Sequence, residues 1–150
     1  MDAWPAAQLP VAAVIEQLAL QPLPVEGGFW APAARTEAGS AILFLLTPDG
    51  FSALHRLTVA EGWTWLAGAP ARMVQLGETG RVAECELGQD SPAVLVEPGV
   101  WQGTATTGAW TLVSCWCVPA YTDECFTAGE REPLLAAYPD AQRQITALTR

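Results

Sequence analysis

The sequence has few basic residues. Its 150 residues include seven lysines and arginines against sixteen acidic residues, which gives a formal net charge of −9. Proteins that bind nucleic acid obtain much of their affinity from basic side chains that contact phosphates. The charge balance therefore argues against nucleic acid as a partner.

Long apolar runs are also absent. No run approaches the roughly 20 residues that a helix needs to span a bilayer. The first five residues, Met-Asp-Ala-Trp-Pro, lack the basic segment that opens a secretory signal. We therefore expect a cytoplasmic protein that has no membrane partner.

The four cysteines match no common metal or redox motif. Cys85, Cys115, Cys117 and Cys125 form neither a Cys-x-x-Cys pair nor a zinc ribbon. The pattern predicts free thiols that pack as small apolar side chains, with Cys115 and Cys117 on one face of a strand. A thiol nucleophile is disfavoured, because the chain offers no second histidine to pair with it.

The rest of the composition is typical of one globular domain. Hydrophobic residues make up 51% of the chain and charged residues 15%, which indicates a packed core. A helix is predicted over residues 10–20, and helical periodicity returns over residues 130–150. Between them lie about eight short β-like runs separated by turn residues, with a hairpin turn at residues 77–80. We therefore predict a single, mainly all-β domain over residues 1–150, built as a sandwich or barrel.

The only histidine, His55, lies within the stretch 50–68, which holds most of the candidate site residues. Residues around it alternate as they would in a half-buried strand. The predicted faces are Ala53, His55 and Leu57 on one side and Ser52, Leu54 and Arg56 on the other.

A second alternating run follows after a short turn, with Glu61, Trp63 and Trp65 on one face. An imidazole, a carboxylate and two indoles on the inner faces of paired strands would form a pocket. The sequence therefore places a candidate site between these two runs.

Two blocks of the chain resemble the two sequence motifs of the cupin superfamily. The second motif contains a Pro-x-Gly-x-x-His turn, and residues 97–102 correspond to it. The first motif has a glycine, a His-x-His, a glutamate and a further glycine, and the corresponding residues are Gly50, His55, Leu57, Glu61 and Gly68.

The chain is similar to one family of small bacterial and fungal cupins of unknown function, over roughly residues 18–149. The resemblance implies a double-stranded β-helix, or jelly-roll cupin barrel, with its core over residues 18–130 and a fold related to that of deoxysugar epimerases. It also implies a homodimer with a pocket inside each barrel. The segments that carry the resemblance are residues 25–29, 51–57, 99–102 and 131–139.

The chain departs from the family pattern at the metal ligands. Metal-binding cupins hold the ion with three histidines and one glutamate, but here Leu57 and Gln102 occupy two of the histidine positions. A transition metal prefers three or more well-placed nitrogen, oxygen or sulfur ligands. We therefore predict no cofactor and no tightly bound metal, with a weak divalent-metal site at His55, Glu61 and Gln102 as the alternative.

These residues suggest acid/base chemistry. His55 and Glu61 could move protons while Gln102 polarises a substrate carbonyl. The alternative for His55 is a hydrogen-bonded core residue that remains from a metal-binding ancestor. Glu26, which precedes a glycine pair, is expected to bond the backbone amides of its own turn.

The predicted substrate is a small apolar or aromatic metabolite. Indoles can stack on such a molecule, although core packing is the first explanation for any tryptophan. The candidate substrate-binding residues are Trp30, Trp63, Trp65, Trp101, Arg56 and Tyr121.

Three functions remain open from the sequence. The first is a metal-independent isomerase, epimerase, lyase or cyclase of a biosynthetic pathway. The second is a binding or sensor protein that performs no chemistry. The third is a metal-dependent oxygenase with a reduced ligand set.

Overall fold

The computed structural model describes Pro5 and residues 7–150. Residues 1–4 and 6, which carry most of the N-terminal segment used above to predict localisation, lie outside the described residues. No described helix has the length and apolar character that crossing a membrane requires.

The described residues form eleven strands and three α-helices. The helices are α1 (Val11–Gln17), α2 (Arg131–Ala137) and α3 (Gln142–Ala147). The strands are β1 (Gln21–Pro22), β2 (Phe29–Arg35), β3 (Ser40–Leu46), β4 (Ser52–Leu57), β5 (Ala60–Gly68), β6 (Ala71–Leu76), β7 (Val82–Leu87), β8 (Ala93–Val96), β9 (Trp101–Thr106), β10 (Thr111–Val118) and β11 (Phe126–Ala128).

The strands form two antiparallel sheets. The six-stranded sheet has the order β1-β2-β3-β10-β5-β8, and the five-stranded sheet has the order β11-β4-β9-β6-β7. From β3 onward the chain passes back and forth between the sheets, as in a double-stranded β-helix. The all-β jelly-roll prediction is therefore confirmed.

Alternating residues of both sheets fill the space between them. This interior core includes Phe44, Trp63, Met73 and Val113, each at most 1% exposed. The rings of Phe44 and Trp63 meet edge to face, with centroids 5.7 Å apart. Apolar side chains thus fill part of the barrel, and the buried polar residues His55, Glu61 and Gln102 lie beside them.

The helices cover the outer faces of the sheets. Val14 of α1 packs with Leu45 and Leu112 on the outside of the six-stranded sheet. Leu134 of α2 and Ile145 of α3 pack against the outside of the five-stranded sheet. The sheets are therefore buried on both faces over much of their area, which explains the continuously apolar run in β3.

Most predicted elements are present. The N-terminal helix, the β6–β7 hairpin around residues 77–80 and the two helices of the tail agree with the structure. The prediction of about eight strands from residue 40 onward missed β11. A strand of three residues is too short to show an alternating pattern, and the same is true of the two-residue β1.

Two details of the predicted pocket are wrong. The strands β4 and β5 are not paired, because β4 belongs to the five-stranded sheet and β5 to the six-stranded sheet. In addition, β4 contains an irregularity where Ser52 pairs with Thr104 but His55 pairs with Gln102. One extra residue in β4 breaks the alternation of its side chains. Ser52 therefore lies on the same side as His55.

Candidate functional site

A cavity of about 550 Å³ opens between β2, β3 and the loop at residues 121–123. Its walls are mostly apolar and include Leu23, Trp30, Pro32 and Ile42. Glu26, Glu61, Cys115, Cys117 and Tyr121 also line it. Exposed residues at its mouth include Arg35 and Asp123.

Two carboxylates face one buried imidazole at the inner end of this cavity. Nε2 of His55 lies 3.8 Å from Oε1 of Glu26 and 3.7 Å from Oε1 of Glu61. The side chains of His55, Glu26 and Glu61 are 2%, 17% and 11% exposed, respectively. They come from β4, from the loop before β2 and from β5. The imidazole does not line the cavity, so it lies behind the carboxylates.

The other ring nitrogen of His55 fixes the orientation of the imidazole. Nδ1 lies 2.8 Å from the carbonyl oxygen of Ala53, which can only accept, so Nδ1 carries a proton and donates it. Phe126 of β11 stacks on the ring, with centroids 5.2 Å apart and planes at 20°. Nε2 is thereby directed toward the two carboxylates.

The loop that carries Glu26 has an unusual backbone. Gly27 and Gly28 have φ values of 101° and 73°, and Val25 has a φ of 68°. A positive φ is strained for a β-branched residue. The loop is held by the Ala53 amide, which donates to the Glu26 carbonyl at 2.8 Å. Ser52 Oγ donates to Glu26 Oε1 at 2.7 Å.

Glu61 is held by different donors. Nε1 of Trp63 lies 3.2 Å from Oε1 of Glu61 and 2.8 Å from Oε1 of Gln102, and donates to both. The thiol of Cys117 donates to Oε2 of Glu61 over 3.7 Å. Both oxygens of the Glu61 carboxylate therefore have a hydrogen-bond donor, which offsets the cost of burying its charge.

The electrostatics of the site favour a protonated imidazole. Burial alone would lower the pKa of His55, but the charges of Glu26 and Glu61 outweigh it. The pKa of His55 is raised from 6.5 to about 9. His55 is therefore an imidazolium at neutral pH, shared between two carboxylates.

The pKa of Glu26 is also raised. Burial is the largest cause and the charge of Glu61 adds to it, while His55, the Ser52 hydroxyl and Arg150 oppose it. Glu26 thus holds a proton more readily than an ordinary glutamate does.

The phenol and the two thiols that line the cavity are neutral at physiological pH. Burial raises the pKa of Tyr121 to about 12. Burial and the charge of Glu61 raise the pKa of the Cys115 and Cys117 thiols. The prediction of free, buried thiols at these two positions is confirmed, and both thiols line the cavity.

The structure brings some of the predicted site residues together. Trp30 and Tyr121 line the cavity, and Gln102 is linked to Glu61 through Trp63. Gln102 is 1% exposed and does not belong to the lining, and its amide oxygen accepts from the Trp63 indole. Its role in polarising a substrate carbonyl stays a prediction.

Four predicted substrate-binding residues lie outside this lining. Trp63 is 0% exposed and belongs to the interior core. Trp65 packs against the interior core. Trp101 packs under the C-terminal helices on the outside of the five-stranded sheet. The guanidinium of Arg56 lies 4.6 Å above the Trp101 ring. All four residues are outside the lining of the 550 Å³ cavity, and their role in substrate binding stays a prediction.

Sequence reasoning missed the role of Glu26. Its side chain was expected to bond the amides of its own turn, but the carboxylate accepts from Ser52 and faces His55. The strained loop places it there. One signal was present, because residues 25–29 were among the segments that carry the family resemblance.

Glu26 also lines a second, smaller cavity. This cavity has a volume of about 170 Å³ and includes Ala53, Phe126 and Arg150 in its lining. Arg150 donates to the backbone carbonyls of Glu26 and Phe51, each at 2.9 Å. The glutamate therefore separates two cavities.

The donor set does not fit a transition metal. Leu57, at the position of a histidine ligand, packs with Cys117 and Cys125 in an apolar cluster. The amide oxygen of Gln102 is engaged by Trp63. Within residues 5 and 7–150, no group of three or more histidine, cysteine, aspartate or glutamate side chains could hold a metal ion. That the protein works without a metal stays a prediction.

Comparisons with known proteins agree with this fold. The model of the family described as "Cupin superfamily (DUF985)" matches residues 12–128. A crystal structure of a protein from Shewanella oneidensis is 30% identical, with a TM-score of 0.90, over 95% of this chain and 99% of that one. No curated protein sequence matches.

Two more distant structures show the fold alone. A hypothetical protein from Leishmania major is 22% identical, with a TM-score of 0.86, over 94% of this chain and 99% of that one. Oxalate decarboxylase from Bacillus subtilis is 14% identical, with a TM-score of 0.63, over 86% of this chain and 37% of that one.

Proposed function

Because this chain belongs to the DUF985 family of the cupin superfamily, we propose that its barrel binds a small apolar or aromatic metabolite and transfers protons on it without a metal. The reaction type is that of an isomerase, epimerase, lyase or cyclase. One observation carries the proposal: two carboxylates that line the cavity share a single buried imidazole.

Glu61 and Glu26 are the groups that would contact the substrate. Glu61 accepts a proton from the substrate, and Glu26, whose pKa is raised, returns a proton at a second position or on the opposite face. Environments that hold two acids in different protonation states allow one to act as base and the other as acid.

His55 supports this exchange from behind the carboxylates. Its imidazolium stabilises the negative charge that passes from Glu61 to Glu26 as the protons move. His55 is therefore a positioning residue that acts through its two partners. This assigns the acid/base role expected of His55 and Glu61 to Glu26 and Glu61.

The walls of the cavity account for the proposed substrate class. A volume of about 550 Å³ lies in the range of small-molecule sites, about 300–1,000 Å³. Trp30, Pro32 and Ile42 would exclude water around an apolar body. The same walls would suit a protein that binds a ligand without chemistry, which is the second candidate.

Isotope exchange tests the proposed function with a mixture of candidate substrates. Metabolite extracts are incubated with the protein in deuterated water, and mass spectrometry identifies compounds that gain deuterium at carbon or change structure. We expect at least one such compound with the native protein. Glu61→Gln and Glu26→Gln retain shape but cannot act as an acid or a base toward the substrate, so deuterium exchange at carbon should fall by about 10²-fold or more.

A matched control removes an acidic group far from the cavity. Glu78 lies on an exposed turn between β6 and β7, and Glu78→Gln should exchange at the native rate. If the native protein binds a compound but neither converts it nor labels it, the protein is a binding protein and the proton-transfer proposal is wrong.

A further inference from the structure

We infer that the cavity takes a cationic ligand, an apolar molecule that carries an ammonium group and places it between Glu26 and Glu61. The inference rests on the proposed function in that it concerns the same cavity, but it does not require that chemistry occur there. It follows from the charge, the donors and the walls of the inner end.

The inner end carries more negative than positive charge. Glu26 and Glu61 both line the cavity, and the imidazolium of His55 is the one cation within 4 Å of their carboxylates among the described residues. The Ser52 hydroxyl, the Trp63 indole and the Cys117 thiol also donate to them, but all three groups are neutral. When both carboxylates are ionised, one negative charge has no counter-charge at the inner end.

Arg150 stabilises the charge of Glu26 only weakly, as the smallest of the influences on its pKa, and it does so from outside this cavity. Its guanidinium donates to the backbone carbonyls of Glu26 and Phe51 and lies over the Phe51 ring at 4.0 Å. It belongs to the lining of the smaller cavity on the far side of Glu26. The charge is therefore open to compensation from the side of the larger cavity.

An uncompensated buried charge is costly and is normally paired or neutralised. A proton taken up by Glu26, whose pKa is raised, would neutralise it in the empty site, and an ammonium group would do so in the bound state. The ammonium can donate up to three hydrogen bonds to carboxylate oxygens.

The remaining lining agrees with this assignment. Trp30 lines the cavity, where an aromatic ring can attract a cation, and the apolar walls suit the rest of the molecule. Asp123 and Arg35 carry opposite charges at the exposed mouth, so the mouth adds no net attraction for an anion. The net charge of −9 also favours the approach of a cation.

Three probes of similar size separate the possible charges of the ligand. Binding of 2-phenylethylammonium, 2-phenylethanol and 3-phenylpropanoate to the full-length protein is measured by titration calorimetry at pH 7. We expect the ammonium to bind at least about tenfold more tightly than the alcohol, and the carboxylate to bind most weakly. Equal or tighter binding of the alcohol or the carboxylate, or no binding of the ammonium, overturns the inference.

A variant locates the preference within the cavity. Glu61→Gln should remove most of the advantage of the ammonium over the alcohol and leave the binding of the alcohol unchanged. Glu78→Gln changes the net charge equally but lies on the exposed turn, so it should keep the native preference. If Glu61→Gln does not fold, as judged by its thermal unfolding, Glu26→Gln replaces it. A preference that survives in the folded variant overturns the inference.

The binding test can succeed or fail whether or not the protein is an enzyme. Binding of the ammonium probe without deuterium exchange on any compound would leave this inference standing and remove the proposed function. Exchange on a neutral or anionic metabolite, together with a preference for the alcohol probe, would do the reverse.

Discussion

The amide oxygen of Gln102 accepts a hydrogen bond from the indole nitrogen of Trp63 at 2.8 Å. Gln102 occupies a position that corresponds to a metal-binding histidine in the cupin motif, yet it serves a contact within the protein. The same indole also donates to Glu61. Gln102 therefore contributes to the site indirectly: it positions the Trp63 indole, which in turn donates to Glu61.

Removing this amide should destabilise the protein. In Gln102→Ala, the buried Trp63 N–H loses its shorter acceptor and a small void forms. We expect the free energy of unfolding to fall by about 1–3 kcal/mol, as measured by urea denaturation. Gln75→Ala is the control, because Gln75 pairs with Gln102 in the sheet but makes only a 3.6 Å contact to the sulfur of Met73. An equal loss in both variants would contradict the interpretation.

His55 should titrate near pH 9. It is the only histidine, so its imidazole C–H signal in a proton NMR spectrum needs no assignment by mutation. The two carboxylates favour the charged ring despite its burial, and the midpoint should therefore lie well above 6.5. A midpoint at or below 6.5 would show that burial outweighs the carboxylates.

The same shift predicts how stability depends on pH. The pKa of His55 is higher in the folded state than the ordinary 6.5, so the contribution of the ion pair is complete below pH 6.5. It is lost as pH rises toward about 9, with an upper bound of about 3 kcal/mol. Urea unfolding between about pH 6 and pH 10 measures it, where the pH range follows from the two pKa values. In His55→Gln the decline between pH 6.5 and about 9 should be absent. Only the later loss should remain, which the buried Cys115 and Cys117 thiols cause as they ionise in the unfolded chain.

Metal analysis tests the prediction that no metal is required. Protein purified without chelator should contain well below one equivalent of iron, nickel, manganese or zinc, because the remaining donors do not form a transition-metal site. Dialysis against chelator should leave the melting temperature unchanged. A stoichiometric metal whose removal lowers that temperature would favour the oxygenase alternative.

The glycine pair beside Glu26 should tolerate little change. Gly28 has a φ of 73°, and a Cβ there would lie 2.8 Å from the carbonyl oxygen of Leu45. We expect Gly28→Ala to cost about 1–3 kcal/mol of unfolding free energy. Gly77→Ala is the control, since Gly77 has a φ of −99° and its Cβ would lie 3.6 Å from Arg81. Similar losses in the two variants would contradict the steric argument.

The fold could be predicted from the sequence, and so could two residues of the inner end of the cavity, His55 and Glu61. Glu26 and Ser52 could not. Alternating runs and turn residues marked β3 to β10, and the cupin motifs marked His55 and Glu61. The pairing of strands could not be read from the order of the runs, because β4 and β5 are adjacent in the chain but belong to different sheets.

Two local irregularities account for the rest of what was missed. A bulge in β4 turns Ser52 to the side of His55, and a loop with positive φ values carries Glu26 to the same place. Neither feature has a regular period, so neither leaves an alternating pattern. For Trp101 and Arg56 the sequence suggested a place in the pocket that the structure does not show. Trp101 belongs to the second cupin-like segment but packs on the outer face of the sheet, and Arg56 lies over its ring.

The contact between His55 and Glu61 has a mechanical consequence. The two residues are near neighbours in the chain, yet one belongs to each sheet, and a tight turn joins β4 to β5. Their ion pair therefore links the two sheets across the space between them. Loss of the imidazolium charge would weaken this link. The protonation state of one buried ring is therefore coupled to the strength of the contact between the two sheets.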